Sequence, residues 1–179
     1  MIDDRQSLEI DELRERVARL EAERDVRDLL AAYAYAADGC RDDEWLDLFT
    51  DDAVIDITYR EDGVLHRGRW EGREALTAYI SGDAHHHQYY GSTMHLHSLN
   101  LSIEIEADVA TIRAYSLNLR APKDGSDVRV TSPAMNRWTA VRQDRGWRIK
   151  ERLRRVLGDA EAWNLVLNPD VRTDAHTLS

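Results

Sequence analysis

The chain has 179 residues, of which 34 are acidic and 24 basic, giving a formal net charge of -10. This length fits one domain with a sizeable core. The negative charge argues against nucleic acid and anionic membrane surfaces as partners. The single cysteine, Cys40, excludes an internal disulfide framework and a cysteine-built zinc site. We expect a cytoplasmic protein, because neither a signal peptide nor a transmembrane stretch is recognisable.

Apolar residues recur every three or four positions from Ser7 to Ala37, which predicts a long helix, either continuous or broken near Arg24. The charged first half of this helix is either a solvated arm or a contact with another subunit. A second, short helix follows Asp42 and Asp43, which suit its N-terminus, and should end within residues 50–52.

The pattern then changes to strands. Residues 54–59 and 64–69 flank the turn signal Glu61-Asp62-Gly63 and predict a hairpin, and a helix should follow over 71–80. Four long strands are predicted at 95–105, 109–120, 128–142 and 147–156, joined by short turns that imply antiparallel neighbours. Strands of this length must twist, so we expect an α+β domain over residues 1–167, with a strongly curved sheet, and a flexible tail at 168–179.

Three polar residues stand out against apolar surroundings. His95 and His97 share the apolar face of their strand, where a histidine is more often a core residue than a catalyst. Asp38 ends an alanine-rich helix and must cap locally, face solvent or be paired. At about 100° per residue, Tyr35 lies about 60° from Asp38 around the helix and Tyr33 about 140°, so geometry alone favours Tyr35 as its neighbour.

The run His85-His86-His87 does not predict a metal site. Consecutive side chains fan apart on a helix or strand and cannot converge on one ion, and no carboxylate-rich motif accompanies them. We expect no metal, and interpret the run as a surface loop or a flap over a pocket.

Three motifs together resemble one known family. They are Tyr33-Ala34-Tyr35-Ala36-Ala37-Asp38 at the end of the first helix, residues 45–53, and Met94-His95 at the start of a long strand. In this order they resemble the SnoaL-like members of the nuclear transport factor 2 (NTF2) superfamily, over about residues 10–165. The chain looks most similar to the group of bile acid 7α-dehydratase, scytalone dehydratase and lindane dehydrochlorinase.

The resemblance implies a cone-shaped, NTF2-like fold with a mixed or antiparallel sheet, and a lyase that needs no cofactor. It implies that His95 is the general base, that Asp38 orients it, and that Tyr33, not Tyr35, is the catalytic tyrosine; His97 stays open as an alternative base. A late-strand arginine is also implied, for which Arg152, Arg154 and Arg155 are candidates; strand parity favours Arg155 and spacing favours Arg152. The residues expected to bind substrate are Tyr35, His97, Tyr59, Tyr115, Asn136, Arg152 and Arg155.

The expected partner is a hydrophobic cyclic molecule, such as a steroid, a terpenoid or an aromatic polyketide, in a hydrophobic pocket. The resemblance also favours a homo-oligomer, a trimer over a dimer. The alternative is a non-catalytic binding or accessory domain, including the small subunit of a ring-hydroxylating dioxygenase, because this fold hosts both.

Overall fold

The computed structural model describes residues 4–82, 86, 90–122 and 125–167. The predicted flexible tail, 168–179, lies outside these residues. None of the described helices combines the length and apolar character needed to span a bilayer. In chain order the helices and strands are α1 (Asp4–Asp38), α2 (Asp42–Leu46), β1 (Phe49–Glu61), β2 (Val64–Glu71), α3 (Gly72–Ile80), β3 (Thr93–Glu106), β4 (Val109–Arg120), β5 (Arg129–Gln143), β6 (Gly146–Val156) and α4 (Asn164–Leu167).

The six strands form one open sheet in the order β2-β1-β6-β5-β4-β3. All neighbours are antiparallel except β1 and β6, which pair in parallel. The β1–β2 hairpin turns at Asp62 and Gly63, both with positive φ, as expected for a two-residue Asp-Gly turn. The predicted α+β class, with a long N-terminal helix and a mixed sheet, is therefore confirmed.

One local prediction needs correction. Residues 49–52 are not the end of a helix, because α2 stops at Leu46 and Phe49 already pairs with Ile149 of β6. This parallel pairing joins segments a hundred residues apart, so the local helical spacing of apolar residues gave no sign of it. The segment that follows β6 is helical only over α4, after a run of turns.

The sheet has apolar contacts on both faces. On the inner face, α1 packs through residues such as Val26, Leu30 and Tyr33 against Trp138 and Ile149. On the outer face, the segment ending in α4 covers a smaller cluster formed by Met135, Leu153, Ala162 and Leu165. Because α1 crosses only part of the inner face, the remaining concave surface is available for a cavity.

A buried ion pair fastens β1 to β6 on the outer face. The fully buried guanidinium of Arg155 donates to Asp56 at 3.0 Å and to Glu161 at 2.9 Å. Arg67 adds two hydrogen bonds to the same aspartate, at 2.6 and 3.0 Å. Burial acts to raise the pKa of Asp56, but the two arginines outweigh it and hold the pKa below its usual value.

We predict that Asp56→Asn destabilises the fold, because Glu161, which is half-exposed, is the one acidic partner that the buried charge of Arg155 would keep among the described residues. Loss of one member of a buried pair typically costs about 3–5 kcal/mol in the free energy of unfolding. Urea titration measures this change. The matched control is Asp52→Asn, which breaks an exposed contact with Lys150 and should alter the midpoint little. Equal midpoints for the two variants would contradict the structural role of Asp56.

Candidate functional site

A cavity of about 800 Å³ opens on the concave side of the sheet, beside the C-terminal end of α1. Its lining is divided, whereas the sequence predicted a hydrophobic pocket. The helices and the β1–β2 hairpin provide most of the apolar wall, including Ala37, Ile57, Tyr59, Trp70, Tyr79 and Ile80. Strands β3 to β6 provide most of the polar wall, including Thr93, His95, His97, Asn118, Arg120, Thr131, Arg152 and Arg154.

Asp38 and His95 are joined by two hydrogen bonds at the end of α1. The backbone N–H of His95 donates to Asp38 Oδ2 at 2.9 Å, and the ring Nδ1 contacts Oδ1 of the same carboxylate. A carboxylate is an acceptor, so Nδ1 carries a proton, and in the neutral form of the ring the lone pair lies on Nε2. Both side chains are mostly buried, and His95 lines the cavity. This arrangement fixes the orientation of the His95 ring and the tautomer of its neutral form.

Beneath His95, the buried guanidinium of Arg152 holds three elements together. It donates to the Tyr33 hydroxyl at 2.6 Å, to His97 Nδ1 at 3.2 Å and to Asn136 Oδ1 at 3.1 Å. It also lies over the Trp138 ring, 4.4 Å from the centroid. Among the described residues, all its hydrogen-bond partners are uncharged. Because Arg152 donates to Tyr33, the phenol keeps its own proton for another acceptor.

His97 is a neutral member of this cluster. Its ring stacks on that of His95 with centroids 5.0 Å apart and meets Tyr33 edge-on at 5.1 Å. Complete burial lowers the pKa of His97 well below its ordinary value, and the positive charge of Arg152 lowers it further. Since Nδ1 accepts from Arg152, the proton sits on Nε2, which is buried with no partner within the part of the chain that the structure describes.

The structure brings together five of the expected residues around the cavity: Tyr33, Tyr59, His95, His97 and Arg152. Asn136 lies directly behind them, fully buried between Arg152 and Ser116, to which it donates at 2.8 Å. Tyr33 is 3% exposed and Tyr35 71% exposed, because Tyr33 shares the helix face that packs on the sheet. Angular spacing along the helix had favoured Tyr35 as the neighbour of Asp38, whereas Tyr33 is the tyrosine that lines the cavity.

Tyr35, Tyr115 and Arg155 do not line the cavity. Tyr115 points to the outer face of the sheet, where it contacts Trp163. Arg155 also lies on that face, in the ion pair with Asp56. The cause is a bulge: Thr139 pairs with Glu151 and Ala140 with Ile149, so Lys150 is an extra residue. The bulge shifts the alternation of β6 by one position and turns Arg152 inward instead of Arg155.

The cavity also contains Arg154, which was a candidate that neither parity nor spacing favoured, and Asn118, which was not predicted from the sequence. Arg154 follows Arg152 by two residues, so it shares its face, and it donates to the Thr58 carbonyl at 2.8 Å. Asn118 lies opposite His95 in the β3–β4 ladder. Asn118 is opposite His95 because the pairing of β3 with β4 is irregular farther along β3 and shifts the register. No local sequence signal reveals such a shift.

The histidine run contributes one described residue, His86, whose Nε2 lies 2.9 Å from Asp42 Oδ2 outside the cavity; His85 and His87 lie outside the described residues. Within the described ranges, no group of three or more histidine, cysteine or acidic residues is arranged to hold a metal ion.

Comparison with known proteins identifies the family. The model of the SnoaL-like domain matches residues 18–153, and the chain belongs to this family. No curated protein sequence matches the chain. An NTF2-like protein with a cystatin-like fold from Novosphingobium aromaticivorans is 27% identical with a TM-score of 0.74, over 86% of this chain and 94% of that one.

Two further solved structures share the fold at lower identity. One is the hexachlorocyclohexane dehydrochlorinase LinA-type3 of Novosphingobium barchaimii, with 18% identity, a TM-score of 0.60, and coverage of 79% of this chain and 90% of that one. The other, from N. aromaticivorans, is described as the β subunit of an aromatic-ring-hydroxylating dioxygenase, with 19% identity, a TM-score of 0.62, and coverage of 78% and 91%. At these identities the likeness concerns the fold alone.

We predict that His97 makes stability depend on pH. In the folded protein it stays neutral, whereas in the unfolded chain it takes up a proton near pH 6.5. The unfolded state therefore binds more protons below about pH 6.5, and the free energy of unfolding should fall as pH is lowered from there. For one group the slope is at most about 1.4 kcal/mol per pH unit.

Denaturant titrations of the native protein and of His97→Gln between pH 7.5 and 5 measure this slope. The variant should lack the part of the slope that is due to His97, so its free energy of unfolding should vary less with pH. Parallel profiles for the two proteins would mean that His97 is protonated equally in both states.

Proposed function

We propose that this SnoaL-like chain is a cofactor-independent lyase that removes a proton from a cyclic small molecule and eliminates a leaving group from the adjacent carbon. The observation that carries the proposal is the Asp38–His95 pair, which presents an imidazole of defined tautomer to a cavity of about 800 Å³. A positioned base of this kind typically contributes about 10²–10⁴ in rate.

In the proposed reaction, His95 Nε2 takes the proton from the carbon next to a substrate carbonyl. The electron pair moves to the carbonyl oxygen, which becomes an enolate and accepts the hydroxyl proton of Tyr33 as a hydrogen bond. The pair then returns to form the carbon–carbon double bond and expels the hydroxyl group on the neighbouring carbon. That hydroxyl leaves as water after it takes the proton from the His95 imidazolium, so His95 ends neutral.

The surroundings support these roles. The Asp38 carboxylate and the C-terminal end of α1 both carry negative charge, and they stabilise the imidazolium that forms transiently on His95. Arg152 donates to the oxygen of Tyr33, which polarises the phenol and strengthens its donation to an enolate. His97 is less suited to be the base, because its Nδ1 already accepts a hydrogen bond from Arg152. Burial and the charge of Arg152 also keep its ring neutral.

The divided lining supports a substrate that is apolar on one side and carries oxygen atoms on the other. Trp70 and Tyr79 contact each other with ring centroids 4.5 Å apart and offer an aromatic surface to a ring system. Gly68 leaves the space that the Trp70 ring occupies, since a side chain at 68 would overlap it. Opposite them, Asn118, Thr131 and Arg154 provide hydrogen-bonding groups. Cyclic hydroxy-ketones of steroid, terpenoid or polyketide type meet both requirements.

The alternative function is a binding or accessory domain, in which Asp38 and His95 form a structural pair. The fold shared with a dioxygenase β subunit favours this alternative. It predicts tight binding without turnover. A panel of cyclic β-hydroxy-ketones, with loss of water followed by mass spectrometry and binding followed by calorimetry, separates the two functions.

We predict that His95→Gln and Asp38→Asn each lower the turnover of a converted panel compound by about 10²–10⁴ while its binding is retained. Neither amide can take or stabilise the proton. The matched control is Asp42→Asn, which alters a second aspartate–histidine contact, that with His86, outside the cavity. The control should keep full turnover. If both site variants keep most of the turnover in folded protein, the Asp38–His95 pair is not the catalytic base and the proposed mechanism is wrong. If panel compounds bind to the native protein and none is converted, the binding function is correct.

A second prediction concerns the hydrogen-bond donor. Tyr33→Phe removes one donor to the developing enolate and should reduce kcat by about 10²–10³, with KM little changed. The ring packing of residue 33 against Trp45 and Trp138 is preserved in this variant. An increase in KM with unchanged kcat would assign the hydroxyl to substrate binding instead.

A further inference from the structure

The first part of α1 projects away from the folded domain. Every residue from Gln6 to Glu21 is exposed, and contact with the domain begins at Ala22 and Val26. The model of the SnoaL-like domain begins to match only at residue 18, so most of this segment is additional to the shared fold. The first half of this continuous helix of 35 residues therefore exposes its whole surface instead of packing on the domain.

An apolar stripe follows this projecting part. It consists of Ile10, Leu13, Val17 and Leu20, which are 39%, 56%, 52% and 64% exposed. At about 100° per residue they span about 80° of the helix surface, and their mean direction lies about 170° from that of the residues that pack on the sheet. The stripe therefore faces away from the domain, which leaves room for a second helix along it.

We propose that this stripe is the seam of a parallel two-stranded coiled coil with a second copy of the chain. The spacing of three, four and three residues places Ile10 and Val17 at heptad positions a, and Leu13 and Leu20 at positions d. β-branched residues at a with leucine at d are the combination that favours two parallel strands over three or four.

The flanking charges select the same orientation. In a parallel pair, position g contacts position e of the next heptad in the partner, so Glu9 meets Arg14 and Arg16 meets Glu21, all opposite in sign. An antiparallel pair that overlaps the same four apolar layers would oppose Arg14 to Arg14, Arg16 to Arg16, and Glu9 to Glu23. These are like-charged contacts, which discriminate against that arrangement.

The seam is short, because Arg24 occupies the next position a and ends the apolar stripe. Two heptads alone would be marginal as free peptides. Here the helix is already nucleated and anchored by its second half in the domain, so association has less helix-forming entropy to overcome. The predicted assembly is thus a dimer joined by helices, in contrast to the trimer that the family resemblance favours.

The test uses the full chain and two leucines of the same helix. Leu13→Glu puts a charge in the seam, whereas Leu8→Glu, at an equally exposed position about 140° from Leu13 around the helix, does not. Light scattering at micromolar concentration should give twice 20.6 kDa for the native chain and for Leu8→Glu, and half that mass for Leu13→Glu. Near-ultraviolet circular dichroism verifies that all three are folded.

Equal masses for the two variants would overturn the proposal. A mass for Leu13→Glu that is one third of the native mass would also overturn it, because the native assembly would then contain three helices in the seam. If the domains also associate elsewhere, the proposal still requires Leu13→Glu alone to halve the mass.

Orientation is tested by cross-linking. In a Cys40→Ser background, Leu13→Cys places equivalent sulfurs face to face only in a parallel pair, so mild oxidation should yield a covalent dimer. A mixture of Leu13→Cys and Val17→Cys proteins should cross-link instead if the helices run antiparallel, which would contradict the proposal.

Discussion

The cavity depends on one constraint, the burial of a permanently charged guanidinium. Arg152 is 4% exposed, and among the described residues its hydrogen bonds go only to neutral groups. A buried cation is tolerated only when its donors are satisfied. Three elements must therefore each direct an acceptor towards the guanidinium of Arg152: α1 with Tyr33, β3 with His97 and β5 with Asn136. The Trp138 ring adds a cation–π contact.

This constraint determines where the neighbouring protons lie. Asn136 accepts through its oxygen and so donates through its nitrogen to Ser116, while His97 accepts through Nδ1 and stays neutral. A charged His97 would be repelled by the adjacent Arg152. His95 stacks on His97 on one side and is hydrogen-bonded to Asp38 on the other. Its ring is therefore held between the Arg152 cluster and the carboxylate at the end of α1.

Much of this arrangement was predictable where local patterns decide it. The hairpin at Asp62-Gly63, the long strands and the face shared by His95 and His97 follow from turn chemistry and alternation. The bulge at Lys150 was not predictable, because it arises from pairing between β6 and its neighbours, and it decides which arginine enters the cavity. The parallel pairing of Phe49 with Ile149 is non-local in the same way. The sequence-based predictions are thus wrong mainly where pairing between distant segments, and not local periodicity, decides which face of the sheet a side chain occupies.

The two proposed roles of α1 lie at opposite ends of the helix, and distance keeps them independent. Leu20, the last residue of the apolar stripe, precedes Asp38 by about 27 Å along the helix axis at 1.5 Å per residue. Between them Val26, Leu29 and Leu30 are buried in the domain core and hold the helix in place without help from a partner. Among the described residues, none of those that line the cavity precedes Tyr33. Pairing of two chains through the stripe would therefore change how the domains are presented to each other, while the position of His95 against Asp38 stays set by the domain itself.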